Sequence, residues 1–598
     1  MAAPMGWVPV LLLQCRGWRF LRRAGAKLRD AEVRFNSTEA AAAALSEPQV
    51  PDKEVATDST ISHRKKTFSE VLAERQEEAQ RTVLINCPSS INEKKMLKFL
   101  SSHGNIKNHF FYETCGTYAV IEFSEKGSIA SLQNATGIPE FVEECPVPFK
   151  SRIFTLTPKD LRSQASALRS ISCHKQTPIP DGELVKKLCS ADSVSGQLHM
   201  LTENYQLTEE NTKLRFLACS LIQDIAGVYF PGCTVKPFGS SVNTFGRRRP
   251  RCPPSCSGSD KTLGCGCLPW LTSRSTVPLI GQLQKTGPFK IEYQTKRVPS
   301  QRIATQRILY VIGEFIDNFG PGCVNVQKIL NARCPLVRFA HQPSGLQCDL
   351  TANNRIAMRS SELLYIYGNL DPRVKALVFG VRCWARAHNI TSSIPGSWIT
   401  NFSLTMMVLF FLQKRNPPIV PTLDQLKALA DTEDKHVIEG FDCTFVSDLN
   451  KIKPTRNTET LDDLLADLFE FFGNFAFNKY SLNIRKGKEQ NKPEASSLHI
   501  QNPFEQNLNI SKNVNVKQLE KFVALARESA WLLQQAGKDP SSSHSQPWGL
   551  AALLSSSVTN ARRGTQQKGK TSERIRGLLD SLKISDIIQK RSFGTQVR

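Results

Sequence analysis

The chain has 598 residues, with 77 Lys and Arg against 54 Asp and Glu and a formal net charge of +23, which leaves room for about three or four domains. A composition of 40% hydrophobic and 22% charged residues excludes a wholly disordered or collagen-like chain. The 17 cysteines, an odd number without a repeated spacing, argue against a fully paired secreted framework and for a reducing compartment. The basic excess favours polyanionic partners, since each neutralised phosphate releases a counterion, without choosing between nucleic acid and a membrane surface. No apolar run is long enough to predict a transmembrane helix.

Residues 1–40 read as a mitochondrial presequence. The first 29 contain no Asp or Glu but carry Arg16, Arg19, Arg22, Arg23, Lys27 and Arg29, interleaved with Leu13, Trp18, Phe20 and Leu21; that pattern predicts delivery to the mitochondrial matrix. A secretory signal built on Val8–Leu13 is the rival, but no basic residue precedes that run. Residues 41–80 are a polar linker ending in a solvated helix.

From 81 to 160 the order is βαββαβ, a ferredoxin-like unit: strands at Thr82–Cys87, His109–Tyr112, Tyr118–Phe123 and Arg152–Leu156, with helices at Asn92–Ser102 and Ser128–Asn134. An RNA-recognition motif (RRM) shares this order and stacks bases on aromatics of its central strands. Tyr118 and Phe123 fit its signature, but Val120 and Leu84 stand where stacking aromatics belong. A base-binding platform and a protein-binding face therefore both stay open.

Residues 161–182 are a second linker. Glu183–Tyr229 then keeps helical periodicity, predicting two or three packed helices. A short strand leads into Phe238-Gly239-Ser240-Ser241-Val242-Asn243-Thr244-Phe245-Gly246, a turn able to aim N–H groups and hydroxyls at a phosphate. Cys334–Ala340 and Gly345–Leu350 predict a hairpin. Its second strand holds Asp349 between apolar neighbours, which costs energy unless the carboxylate is paired or binds metal.

Several blocks together resemble the noncanonical poly(A) polymerases of the DNA polymerase β-like nucleotidyltransferases: Thr208-Glu209-Glu210-Asn211-Thr212-Lys213, Phe238–Gly246, Lys328–Pro335, Cys348-Asp349-Leu350-Thr351, Arg382–Arg386, Trp398–Leu412 and Asn502-Pro503-Phe504-Glu505. The resemblance implies an α+β chain with a ferredoxin/RRM-like N-terminal module, a nucleotidyltransferase palm with a mixed sheet over 183–355, and a helical PAP-associated domain over 356–535. Residues 536–598 then form a basic disordered tail. The implied activity is transfer of AMP from ATP to RNA 3′ ends, here of mitochondrial transcripts, with Mg²⁺ or Mn²⁺. It further implies Gly239, Ser240, Ser241, Arg382, Phe402 and Glu505 as nucleotide-binding residues, Asp349 as catalytic metal ligand, and a homodimer through the RRM-like module.

The family pattern adds an Asp-x-Asp pair about a dozen residues beyond the Gly-Ser turn, and the three carboxylates hold two metal ions. Between Gly246 and Glu292 this sequence has one acidic residue, Asp260. The stretch 247–288, with Arg247–Arg249, Pro253-Pro254 and a Ser/Cys mixture, is atypical of the domain around it. Cys252, Cys256, Cys265 and Cys267 lack the spacing of a zinc knuckle. The missing pair predicts impaired transfer; the alternative is a catalytically inactive isoform acting as an RNA-binding or dimerisation partner.

Overall fold

A computed structural model describes residues 10–17, 64–88, 91–135, 151–156, 179, 181–248, 300–392, 396–536 and 547–555. Most of the atypical segment, the four cysteines within it and most of the expected tail lie outside the described residues. The first element, β1 (Val10–Gly17), falls within the stretch read as a presequence. Helix α1 (Phe68–Gln80) opens on a capping box in which Thr67 and Glu70 satisfy each other's backbone N–H. It is less solvated than expected, because Phe68, Leu72 and Ala79 pack with Phe216 of a later helix.

The ferredoxin-like order is realised as β2 (Thr82–Cys87), α2 (Glu93–Ser101), β3 (Ile106–Glu113), β4 (Thr117–Phe123), α3 (Gly127–Ala135) and β5 (Ile153–Thr155), in sheet order β3-β4-β2-β5. Strand alternation gives this sheet two apolar faces. Val83, Ile85, Phe111, Ile121 and Phe123 close over Met96, Leu100, Ile129 and Leu132 of the two helices. Leu84, Phe110, Tyr112, Tyr118 and Val120 belong to the core of the next domain instead. Tyr112 stacks on Tyr118 with ring centroids 5.7 Å apart, and its hydroxyl donates to the Pro343 carbonyl at 2.8 Å. The face an RNA-recognition motif offers to bases is therefore covered by the chain's own palm, so the base-platform reading gives way to a protein contact within one molecule. Arg152 locks the junction, donating to Asp224 at 2.7 Å, to Ser220 at 2.7 Å and to the carbonyls of Ala79 and Thr82.

Helices α4 (Asp181–Cys189), α5 (Val194–Tyr205) and α6 (Glu209–Tyr229) follow. The palm sheet comprises β6 (Thr234–Pro237), β7 (Cys323–Ile329), β8 (Leu336–His341), β9 (Leu346–Ala352) and β1, in the order β6-β1-β9-β8-β7. Helix α7 (Gln301–Phe319) and α6 cover it with Leu309, Ile312, Ile316, Leu214, Leu217 and Ile225. Strand β1 runs parallel to β6 and antiparallel to β9. Its Leu11 and Leu13 are fully buried in this core, and each such side chain contributes ~1.5–3 kcal/mol. The expected hairpin is β8–β9, and His341 at its turn is buried against the Ser344 hydroxyl.

The helical domain contains α8 (Arg355–Leu370), α9 (Pro372–Ala387), α10 (Asn401–Gln413), α11 (Leu423–Ala428), the two-residue strands β10 (Val437–Ile438) and β11 (Phe441–Asp442), α12 (Leu461–Asn474), the hairpin β12 (Tyr480–Asn483) and β13 (Lys488–Asn491), and α13 (Val516–Ala536). Its core centres on Trp384, whose ring lies 4.6 Å from Phe469 and 5.8 Å from Phe522, and whose Nε1–H donates to Ser529. Two boundaries differ from the sequence reading. Leu184, Leu188, Leu198 and Leu201 of α4 and α5, assigned to the palm, pack in this helical core. The tail is not uniformly disordered either: Leu550, Ala551 and Leu553 are buried in the same core, and Trp548 donates to the Cys189 carbonyl. Helical periodicity says which side of a helix is buried, not which domain it is buried against.

Candidate functional site

Asp349 lies on β9, where the pleat puts Gln347, Asp349 and Thr351 on one face and sends Cys348, Leu350 and Ala352 into the palm core. Its cross-strand partner on β8 is Arg338. The guanidinium takes the carboxylate in a two-bond fork, Nε to Oδ1 at 2.7 Å and Nη2 to Oδ2 at 3.1 Å. That hydrogen bond raises the Arg338 pKa. On the other side the partner of Asp349 is Gln14 of β1, a neutral amide. Sequence reasoning missed both neighbours, yet Arg338 was within reach: pairing His341 with Leu346 across the turn sets Arg338 opposite Asp349.

The Gly-Ser turn forms a single 3₁₀ turn, Gly239–Ser241, directly after β6. Gly239 has φ +60°, and a Cβ there would come within 2.6 Å of Gln14 Nε2, so only glycine fits. The same Gln14 thus borders both Asp349 and the turn. The first N–H of the turn is engaged, donating from Gly239 to Ser361 Oγ at 2.8 Å. Ser241 is buried with Arg215 Nη1 3.4 Å from its hydroxyl. Thr244 follows at φ 65°, a conformation that β-branched residues rarely adopt.

Cationic side chains gather behind this turn. Arg382 donates to the Phe245 carbonyl at 2.9 Å and also to Thr405 Oγ1. Burial and neighbouring Arg247 lower its pKa to about 10, so it remains charged at neutral pH. Its Nε, with those of Arg247 and Arg248, is buried without a hydrogen-bond partner among the described residues. Arg247 stacks over the Tyr205 ring at 3.6 Å. The described end of the arginine cluster, Arg247 and Arg248, is therefore half-buried packing. Guanidinium N–H groups beside a Gly-Ser turn are chemically able to donate to phosphate oxygens.

Phe402 is half-buried in the first turn of α10 against the helical core, one turn before the Thr405 that holds Arg382. Glu505 sits farther round the rim, tied to Arg333 of the β7–β8 loop at 3.0 Å, with its backbone N–H bound by Asn502. The structure thus joins Gly239, Ser240, Ser241, Asp349 and Arg382 through Gln14 and Phe245, sets Phe402 beside them, and places Glu505 at the domain boundary.

Among the described residues, the donor set does not fit the resident divalent ions expected from the resemblance. Asp349 is forked by an arginine and faces an amide, and among the described residues no group of three His, Cys, Asp or Glu side chains could hold a metal. Among the described residues the Asp349 carboxylate is held by the Arg338 guanidinium from one neighbouring strand and pairs with Gln14 on the other.

Two family profiles match the chain. One, described as "RL domain", covers residues 67–137. The other, "Poly(A) RNA polymerase, mitochondrial-like, central palm domain", covers residues 194–250 and 275–369; the gap between its two parts falls inside the atypical segment. The mouse "Poly(A) RNA polymerase, mitochondrial" is 58% identical over 541 residues, covering 89% of this chain and 90% of that one. The human protein of the same name is 59% identical over 522 residues, covering 87% of this chain and 86% of its own. A solved structure, "Crystal structure of mtPAP in complex with ATPgammaS", superposes with a TM-score of 0.72 at 61% identity, covering 82% of this chain and 99% of that one. The RRM-like module, the mixed palm sheet and the helical domain all accord with this likeness, and the chain belongs to the mitochondrial poly(A) RNA polymerase family.

Proposed function

We propose that this chain is a mitochondrial matrix protein that binds ATP and RNA 3′ ends in the manner of a polynucleotide adenylyltransferase, and that its own transfer of AMP is impaired. Support for nucleotide binding comes from the Gly239–Ser241 turn and the Arg382, Arg247 and Arg248 N–H groups behind it, together with the ATPγS complex of a close relative. One observation carries the impairment: the partners of Asp349 on its two neighbouring strands are Gln14 and Arg338, not carboxylates. Family enzymes use divalent ions to activate the RNA hydroxyl and neutralise pyrophosphate. In this chain Arg382 would grip the phosphates, Phe402 would pack on the base and Glu505 would help select it.

The same pairing favours a second reading, an inactive partner that binds RNA or dimerises with an intact polymerase. Dimerisation through the RRM-like module would have to use its helices or its edge strands β3 and β5, because its open sheet face is covered. Extension of an RNA 3′ end by the full chain, with each NTP in turn under Mg²⁺ or Mn²⁺, tests the proposal beside equilibrium binding of ATPγS. ATPγS binding with extension reduced on the order of a thousandfold or more from an intact relative is expected. Robust extension that Asp349→Ala abolishes would overturn the impairment.

A further inference from the structure

Strand β1 has a property no other palm strand shares. It arrives from the far end of the chain, with residues 18–63 between it and the next described segment. It makes four parallel register pairs with β6, from Val10↔Thr234 to Leu13↔Pro237, and seven antiparallel pairs with β9, from Leu11↔Ala352 to Gly17↔Leu346. In the sheet order β6-β1-β9, taking β1 away strips β6 of its only sheet neighbour among the described residues and turns β9 into an open edge. An edge that presents Leu346, Cys348, Leu350 and Ala352 with unpaired backbone is an aggregation template.

The side chains match the slot as closely as the backbone does. Val10–Leu13 is an uninterrupted apolar run, the pattern of a strand buried on both faces. Leu11 and Leu13 insert into the palm core, and Leu12, on the opposite face, is also buried. Apolarity ends at Gln14, where the strand reaches the Gly-Ser turn and Asp349. The atypical stretch 247–288, which follows the turn directly, offers no comparable run beside a carboxylate.

We infer that the groove between β6 and β9 is a binding site for an extended apolar peptide, filled by this chain's own Val10–Gly17, and that the palm stays ordered only while that segment is bound. The mode is strand addition, with main-chain hydrogen bonds giving affinity and alternate side-chain pockets giving specificity. The long tether keeps the segment at high effective concentration. Cleavage of a presequence beyond Gly17 then has a structural result: it turns a covalent strand into a ligand that can leave. The inference is independent of the catalytic reading, because its readouts involve no transfer.

The test places a site-specific protease sequence between Ala41 and Ala42 of the full chain, cuts after folding, and follows size exclusion and amide hydrogen exchange. Expected is co-elution of residues 1–41 with the remainder and retained protection of Thr234–Lys236 and Leu346–Ala352. The Leu11→Asp/Leu13→Asp variant should release the fragment and lower protection at those strands on the order of a hundredfold, while β2–β4 keep theirs. Immediate loss of the wild-type fragment with β6 and β9 still protected would overturn the inference. Should the double variant not fold, a labelled synthetic peptide of residues 8–19 is offered to the cut wild-type chain. Uptake over a scrambled peptide supports the site, and equal uptake of both overturns it.

Discussion

The helical domain and the palm bury their apolar side chains in opposite ways. The helical core draws on α8 to α13, which are near neighbours in sequence, joined by α4, α5 and residues 547–555. Its α10 is buried all round from Ser403 to Gln413, and the Trp384–Phe469–Phe522 contacts knit three helices together. The palm core instead gathers Leu11 and Leu13, one face of the RRM-like sheet, α6, β6, α7 and the β8–β9 hairpin. A core whose central helices follow one another in sequence closes most of its loops cheaply, with α5 and residues 547–555 joining from farther away, whereas one whose central strand pairs with a segment more than 200 residues on, β1 beside β6, pays loop-closure entropy before its sheet forms. The helical domain should therefore be the robust half, and the palm the half whose order is conditional.

The most severe way to challenge this contrast is Trp384→Ala, which empties the centre of the helical core and leaves Ser529 without its indole donor. A loss of about 3–5 kcal/mol is expected, read from the denaturant midpoint, with amide protection falling in α9, α12 and α13 while β8 and β9 are spared. Equal loss in the palm strands would mean that the two halves unfold as one unit.

Acid probes the palm from its own side. Burial pushes His341 down to about 4, against an ordinary value of 6.5. Between those values the unfolded chain binds the proton that the folded chain refuses. The stabilising contribution is therefore complete above pH 6.5 and shrinks as pH falls towards 4, by roughly 3 kcal/mol across the window. His341→Gln should flatten that part of the stability profile for the palm strands, and an unchanged slope would assign the acid response to other groups.

The smallest effect is a gain. Leu12 and Gln14 share the face of Asp349, opposite Thr351 and Asp349 respectively, so Leu12→Asp/Gln14→Asp places two carboxylates at alternate positions beside the third. The wild-type unfolding midpoint should ignore Mg²⁺. The double variant should start lower and recover about 1–3 kcal/mol at saturating Mg²⁺. No Mg²⁺ response in the variant would mean that Arg338 keeps its hold on Asp349.

Much of this molecule was legible in its sequence because the deciding signals are local. Period-two runs at Thr82–Cys87 and Tyr118–Phe123 and the hairpin around His341–Gly345 all became the expected elements. Tyr118 shows where such signals stop: an aromatic on a strand serves base stacking or domain packing equally well, and only its burial with Tyr112 in the palm core decides it. The apolar run at Val10–Leu13 was hidden for a second reason. Arginines and an acid-free flank are the composition of a presequence, and the partners of that strand, Thr234 and Ala352 among them, are too remote for any window to find. The tail segment around Leu550 failed likewise, a short apolar stretch in polar surroundings whose partners include Cys189 of α4 and Gln197 of α5.

The position of β1 also reverses the usual order of assembly. Its residues leave the ribosome well before β9, which closes the far side of its slot and is complete only at Ala352. At synthesis rates of about 5–20 residues per second, the opening leucines wait roughly 17–70 seconds for that partner to appear. Throughout that interval Val10–Leu13 is an exposed, uncharged β-former, the kind of segment chaperones and import receptors bind. The production of this chain is thus a contest between the palm and every other apolar groove that the N-terminus meets before the palm exists.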